Sequence, residues 1–486
     1  MLRSLASSAL PKATRPRPAQ QLSLARRALH NTPKRSGSSA AARILVERTI
    51  EKTEAATHGR NAAAEDATAE TAAAAAATAA ATFAAEAQRS LPSVGLDERK
   101  VSVGWDGKVW SKYHHVWLRD HCRCTECFHP VTKQRLVDTF AIRPDVQPTK
   151  VESTKAGLEV TWPSSPSPHV SVYPWSWLRL NSYDPFFDQP QSEKLHWGAG
   201  IAKDPPTIPY EEVMQDDVGV WKWLNRIDKF GFSFVSGVPA TPEATEELIT
   251  RISFIRETHY GKFWEFTSDA TRGDTAYTSM ALGAHTDGTY YTDPVGLQFL
   301  HLLSHTEGTG GASLLVDGFY VASLVRELYP AAFATLRTVR IASHAAGEEN
   351  VMYRTGVRRG TGLPIIHTHT GSDELAQIRY NNDDRSALRL PPDQTEAFYD
   401  ALRLWRQTLT SPDSEYWFQL APGTLMAFDN QRALHGRSAF TGKRRMCGAY
   451  MGMDDFRSRL AVLTERYRDG GPATAGFEGR TWGGMI

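Results

Sequence analysis

The stretch HTDGTYYTDPVG, residues 285–296, decides how this chain is read, together with FDNQRALHGRSAF at 428–440. His285, Asp287 and the distant His435 make a two-histidine, one-carboxylate set of metal donors. Three such donors on one side of a divalent ion leave about half of its octahedron open, room for exogenous oxygen ligands. The pattern has a bland alternative. A chain of this composition is expected to hold about one H-x-D/E by chance, and His305-Thr-Glu307 is a second instance here. Surface or core histidines would give the same letters, so the company of the motif has to decide.

That company begins at TGKRRMCGAYMG, residues 441–452. Thr-Gly is a turn signal, and the residues after it alternate as a strand. Alternation puts Arg444, Met446, Gly448 and Tyr450 on one face and Arg445, Cys447, Ala449 and Met451 on the other. A guanidinium just past the last metal donor is placed to grip the far carboxylate of a 2-oxo acid by paired, charge-assisted hydrogen bonds. Without the donors, it reads as a solvated arginine on an edge strand. With them, the set has the parts of a non-haem Fe(II) oxygenase site, with O2 and a bidentate 2-oxo acid as further ligands.

Six stretches then carry a family resemblance: WLRDHCRCTEC (117–127), IRETHYGKFWEFTSDATRGDTAYT (255–278), HTDGTYYTDPVGLQFLHLL (285–303), TGGASLLVDGFY (309–320), IRYNND (378–383) and ALHGRSAFTGKRRMCGAY (433–450). From about Trp105 to Leu460 the chain resembles the gamma-butyrobetaine hydroxylase family of Fe(II)/2-oxoglutarate dioxygenases, which also contains the trimethyllysine dioxygenases. The resemblance implies an α+β architecture, a double-stranded β-helix (jelly roll) with flanking helices, preceded by a small β-rich zinc-binding domain. It implies His285, Asp287 and His435 as Fe(II) ligands, with Arg444 and Ser313 on 2-oxoglutarate. It also implies Tyr260, Trp264, Tyr277 and Tyr450 as an aromatic box for a quaternary ammonium, which offers no hydrogen bond and is held by ring faces. On spacing alone these aromatics are core residues as readily as a cage. Tyr260 and Trp264, four apart, share a face whether the segment is helix or strand.

The other end of the substrate reads differently. Where butyrobetaine enzymes carry an asparagine for a bare carboxylate, this chain has Asp274, which would repel a carboxylate and accept from an α-ammonium. Asn382, with Asn381 beside it, remains for the α-carboxylate. The reaction implied is hydroxylation of N6,N6,N6-trimethyl-L-lysine at C3, giving succinate and CO2 and opening carnitine synthesis, with ascorbate keeping the iron ferrous. Hydroxylation of gamma-butyrobetaine is the nearer alternative, and a non-catalytic methyl-lysine binding module the more distant one.

Three of the four cysteines fall within six residues, as Cys122-x-Cys124-x2-Cys127. That clustering suits a closed zinc site in a reducing compartment better than a disulfide. His114, His115, His121 and His129 are local candidates for the fourth ligand, and the resemblance points to His169. Short strands with turn signals, VSVGWDGKVW, KAGLEVTWP and HVSVYPWSWL, surround the cluster. So small a β module gains stability from a bound ion. Cys447 reads as a small buried hydrophobe.

Length and charge complete the outline. At 486 residues the chain exceeds one small core. Residues 1–46 hold nine lysines and arginines and no acid, so of a net charge of +1 the remainder carries −8. A basic leader rich in Arg, Ser, Ala and Leu reads as a mitochondrial transit peptide, addressed to the matrix. Residues 47–93 read as a linker with a low-complexity alanine-rich centre, too interrupted for a membrane span. The zinc-binding domain is then expected at 94–185 and the dioxygenase domain at 206–465. An acidic body without a basic stripe excludes a nucleic-acid partner, and the resemblance adds a homodimer.

Overall fold

Two three-stranded antiparallel sheets open the described part of the chain. The structure, a computed structural model, describes residues 91–164, 166–187, 193–267, 278–358 and 360–467. The basic leader, most of the linker, Asp274 and Tyr277 lie outside those residues. The first sheet joins β1 (Ser93–Leu96), β2 (Lys100–Gly104) and β3 (Trp110–His114). Asp106 and Gly107 turn β2 into β3, Gly107 at the positive φ (75°) that glycine tolerates and Asp106 accepting from the Lys108 and Val109 amides. The second sheet joins β4 (Lys150–Thr154), β5 (Gly157–Trp162) and β6 (His169–Tyr173). Inward residues of both sheets, among them Val101, Tyr113, Leu158, Trp162 and Tyr173, share one core. One expectation changes here: in HVSVYPWSWL only the first half is strand. Pro174 starts the helix Trp175–Leu180, which buries Trp177 and Leu178.

From Thr207 onward two larger sheets face each other as a jelly roll with helices outside. In chain order the strands are β7 (Thr207–Pro209), β8 (Phe232–Ser236), β9 (Phe263–Thr267), β10 (Leu282–His285), β11 (Leu297–Thr306) and β12 (Ser313–Asp317). The small hairpins β13 (Ser343–Ala345) with β14 (Tyr353–Thr355) and β15 (Ile366–Thr368) with β16 (Leu375–Ile378) follow. Then come β17 (Tyr416–Phe418), β18 (Thr424–Asp429), β19 (Ala433–Arg437) and β20 (Lys443–Met451). The six-stranded sheet runs β7-β8-β18-β11-β20-β9, and the four-stranded one β10-β19-β12-β17.

Between the sheets, Phe232, Phe234, Leu302, Met426 and Met446 meet Leu315, Tyr416 and Ala433. The outer face of the large sheet is closed by the helices Asp217–Phe230, Pro242–Thr250 and Met453–Tyr467 over Phe299, Ala427 and Met451. Gly318–Leu328, Pro330–Thr338 and Pro392–Leu409 cover the small sheet. Thr241 caps the helix at Pro242 by accepting from the Ala244 amide. That helix stops at Thr250. Arg256 pairs its backbone with Tyr450 on β20. Among the described residues, no helix is long and apolar enough to cross a membrane.

Candidate active site

The two histidines of the triad are brought together by strand register. β10 and β19 pair antiparallel with His285 directly opposite His435, so both side chains leave the same face. Their ring centroids lie 4.3 Å apart. Asp287 follows in the loop, its Oδ1 3.2 Å from His285 Nε2 and 3.7 Å from His435 Nε2. All three ligand atoms lie within 4.8 Å of one another. The Gly283 carbonyl accepts from His285 Nδ1 at 2.8 Å, which leaves Nε2 turned toward the carboxylate. Gly288 continues the turn at φ 69°.

The carboxylate is aimed from two sides. Tyr450 donates its hydroxyl to Asp287 Oδ2 at 2.8 Å. Asn430, 1% exposed, clamps the Asp287 backbone, accepting from its N–H at 2.7 Å and donating to its C=O at 3.0 Å. The turn carrying Asn430 is itself pinned by a buried Arg432–Asp317 ion pair at 2.8 Å. Electrostatically, the three groups hold a place for a cation. Burial alone would push both imidazoles down. At His285 the hydrogen bond and charge of Asp287 outweigh it and raise the pKa to about 9. At His435, burial together with His285 lowers it to about 3. Asp287 stays below the usual carboxylate range despite its burial, held there by the two imidazoles. A divalent ion would replace the proton shared in this set.

One pocket opens on the triad, and its walls differ in character. Arg444, 5% exposed, Arg437 and Ser313 line it, carried by β20, β19 and β12. Arg444 is buried on a central strand, not solvated on an edge, and its Nε has no hydrogen-bond partner. Burial and the neighbouring Arg437 depress it to about 10. Two guanidiniums in one buried wall fit a dianion. Tyr260, Trp264, Tyr290 and Tyr450 line the same pocket. Trp264 and Tyr450 lie 5.5 Å apart between ring centroids, and the Tyr260 and Tyr290 hydroxyls meet at 3.0 Å. Gly448 makes room, since a Cβ there would come within 2.4 Å of the Trp264 ring. Asn381, Asp383 and Asp384 are among its lining residues as well.

With this geometry in view, the family described as taurine catabolism dioxygenase TauD, TfdA matches residues 190–450, and gamma-butyrobetaine hydroxylase-like, N-terminal, matches 94–179. The trimethyllysine dioxygenase of Meyerozyma guilliermondii is 40% identical over 390 residues, 77% of this chain and 96% of that one. The chain belongs to the TauD/TfdA dioxygenases, in the trimethyllysine dioxygenase branch. The human mitochondrial trimethyllysine dioxygenase is 39% identical, covering 72% and 83% of the two chains. A gamma-butyrobetaine dioxygenase of a Pseudomonas species is 34% identical, covering 75% and 93%.

In this dioxygenase, Tyr260, Trp264, Tyr450, Ser313 and Arg444 all line the pocket beside the triad. The reason given for the first two needs correction. Tyr260 sits in the tight turn Thr258–Gly261 and Trp264 on β9, so they converge through that turn rather than along one element. Asn382 is displaced as well. It is exposed and accepts from Arg385, while Asn381 faces the pocket, because the loop after β16 does not alternate. Tyr290, Asn430, Arg437 and Asp384 were missed. Tyr290, Asn430 and Arg437 lie within five residues of a triad member, a positional hint, whereas Asp384 had none.

Far from this pocket along the chain, the cysteines converge as well. His169 Nε2 lies 3.2, 3.7 and 3.6 Å from the sulfurs of Cys122, Cys124 and Cys127. The local histidines are engaged elsewhere or turned away: His121 stacks on Trp117 and bonds its carbonyl, His129 accepts from the Thr132 amide, and His114 stacks on Tyr183. His115 is buried with neither ring nitrogen partnered. Donor separations of about 3.6 Å are the edges of a tetrahedron around zinc. Cys447 is buried on the other face of β20, against Thr245.

Proposed function

We propose that this dioxygenase hydroxylates N6,N6,N6-trimethyl-L-lysine at C3, converting 2-oxoglutarate and O2 to succinate and CO2. The observation that carries the reading is one pocket lined by the His285–Asp287–His435 triad together with arginines and a group of aromatic rings. Relatives named trimethyllysine dioxygenase, 39–40% identical, support it. The triad would hold Fe(II), whose oxidation chemistry couples decarboxylation of the 2-oxo acid to hydroxylation of a C–H bond. Arg444 pairs with the far carboxylate of 2-oxoglutarate, with Arg437 beside it and Ser313 as a hydroxyl partner. Tyr260, Trp264, Tyr450 and the unforeseen Tyr290 enclose the trimethylammonium. A cation–π contact of this kind contributes about 0.5–2 kcal/mol, more as water is excluded. Asn430 and the Tyr450 hydroxyl keep Asp287 from swinging into the space the substrate needs.

The same reading assigns zinc to Cys122, Cys124, Cys127 and His169 in a domain spanning 94–185, apart from a catalytic domain at 206–465. Burial pushes the Cys122 thiol up to about 12, so a bound dication is what would make it a thiolate. Arg119 supports negative sulfur there by donating to Cys127 at 3.4 Å. Ascorbate keeps the iron ferrous. The basic leader and relatives named mitochondrial support the mitochondrial matrix, where the reading has a homodimer act.

Mass spectrometry tests this directly. Protein given Fe(II), ascorbate and 2-oxoglutarate should add one oxygen to trimethyllysine, with matching succinate. Oxygen added to gamma-butyrobetaine instead would replace the substrate, and no succinate with either would remove the activity.

A further inference from the structure

Asp384, among the residues that line the pocket, has been given no role above. We propose that Asp384, in addition to Asp274, for which the sequence gives the same expectation, binds the α-ammonium of the amino-acid substrate and so selects against trimethylammonium compounds that lack it, an assignment resting on the trimethyllysine reading. The substrate's α-nitrogen is two bonds from C3, whereas the quaternary nitrogen is four bonds away. When C3 faces the triad, the partner of the α-ammonium must therefore sit close to the metal donors.

Asp384 meets that requirement. It lines the pocket, and its charge acts on both His285 of the triad and Tyr290 of the aromatic wall. Its side chain is aimed by neighbours. Asn381 donates to Oδ2 at 2.9 Å, and the Thr289 hydroxyl, two residues past Asp287, reaches the same oxygen at 3.3 Å. The Asp384 carbonyl accepts from the His344 amide at 2.9 Å, fixing the backbone. Asp383 also lines the pocket but is exposed, so its field is screened by solvent. Asp384 is partly buried, where attraction to an ammonium is stronger.

A second observation points to a ligand bearing N–H donors. Gln298, 3% exposed, lines the same pocket opposite Tyr450 in the β11–β20 register, and its Oε1 has no donor. A trimethylammonium group brings no donor; an α-ammonium brings three. An aspartate facing the α-amino end also disfavours a substrate whose carboxylate would occupy that place.

The test compares trimethyllysine with 6-(trimethylammonio)hexanoate, which keeps the quaternary end, the chain and the carboxylate but lacks the α-amino group. In wild type, trimethyllysine should be strongly preferred in kcat/KM. In Asp384→Asn that preference should fall by about 100-fold, mainly through KM for trimethyllysine. Asp384→Glu, which keeps the charge, should retain most of it, and serves if the amide variant folds poorly. Equal losses on both compounds in each variant would make Asp384 a structural support of the loop and overturn the proposal, as would an unchanged preference. Wild type inactive on trimethyllysine would sink the substrate reading itself, and this proposal with it.

Discussion

The two donor clusters of this chain are built on opposite plans. Cys122, Cys124, Cys127 and His169 present four donors whose sulfur-to-nitrogen separations of 3.2–3.7 Å are of a size to surround an ion. His285, Asp287 and His435 present three, on the wall of a pocket lined by arginines and aromatics. Four soft donors saturate zinc and leave it nothing to do but hold the chain; three harder donors leave an ion unsatisfied where a substrate can reach it. The difference also appears in the supports. Three of the cluster's donors come from one short loop after a helix, so binding there ties local chain to the distant β6. The triad is spread over β10, its loop and β19, and depends on Asn430 and Tyr450 to aim its carboxylate.

If this division of labour is right, breaking one site should leave the other's signature intact. The largest effect belongs to Asp287→Ala, predicted to lower turnover by about 1,000-fold or more with little change in melting temperature. Succinate assays beside thermal melts check it, and full turnover would contradict the ligand set. Next comes Cys127→Ser, predicted to cost roughly 3 kcal/mol or more of stability through lost zinc. Its kcat per folded molecule should stay near wild type; a normal denaturation midpoint would argue against a structural ion. Arg444→Ala should raise KM for 2-oxoglutarate by about 30- to 100-fold and leave KM for trimethyllysine nearly unchanged. Equal rises in both would point to a collapsed pocket. The smallest effects are those of Asn430→Ala and Tyr450→Phe, each predicted to weaken Fe(II) binding by about tenfold without altering zinc content. Metal titration separates them from wild type, and unchanged iron affinity would remove their positioning role.

What could be read from sequence follows the same contrast. Local patterns were legible: the cysteine spacing and the alternation that turns Arg444 and Tyr450 to one face. The jelly roll itself came through family resemblance, since strands such as β11 and β18 do not announce their pairing order in their own residues. Loop residues were the hard part. Asn381 and not Asn382 faces the pocket because the loop after β16 has no period. Asn430 reaches Asp287 across the fold, and no spacing rule connects a residue to a backbone so distant in sequence. Tyr260 was expected beside Trp264 for a geometric reason that the turn at Gly261 replaces with another.

The most direct test of two sites with two tasks is metal content per folded chain, by mass spectrometry, after anaerobic reconstitution with both ions. Wild type should hold one iron and one zinc, Asp287→Ala zinc alone, and the folded fraction of Cys127→Ser iron alone. Iron lost from both variants together, or zinc lost from Asp287→Ala, would contradict the account.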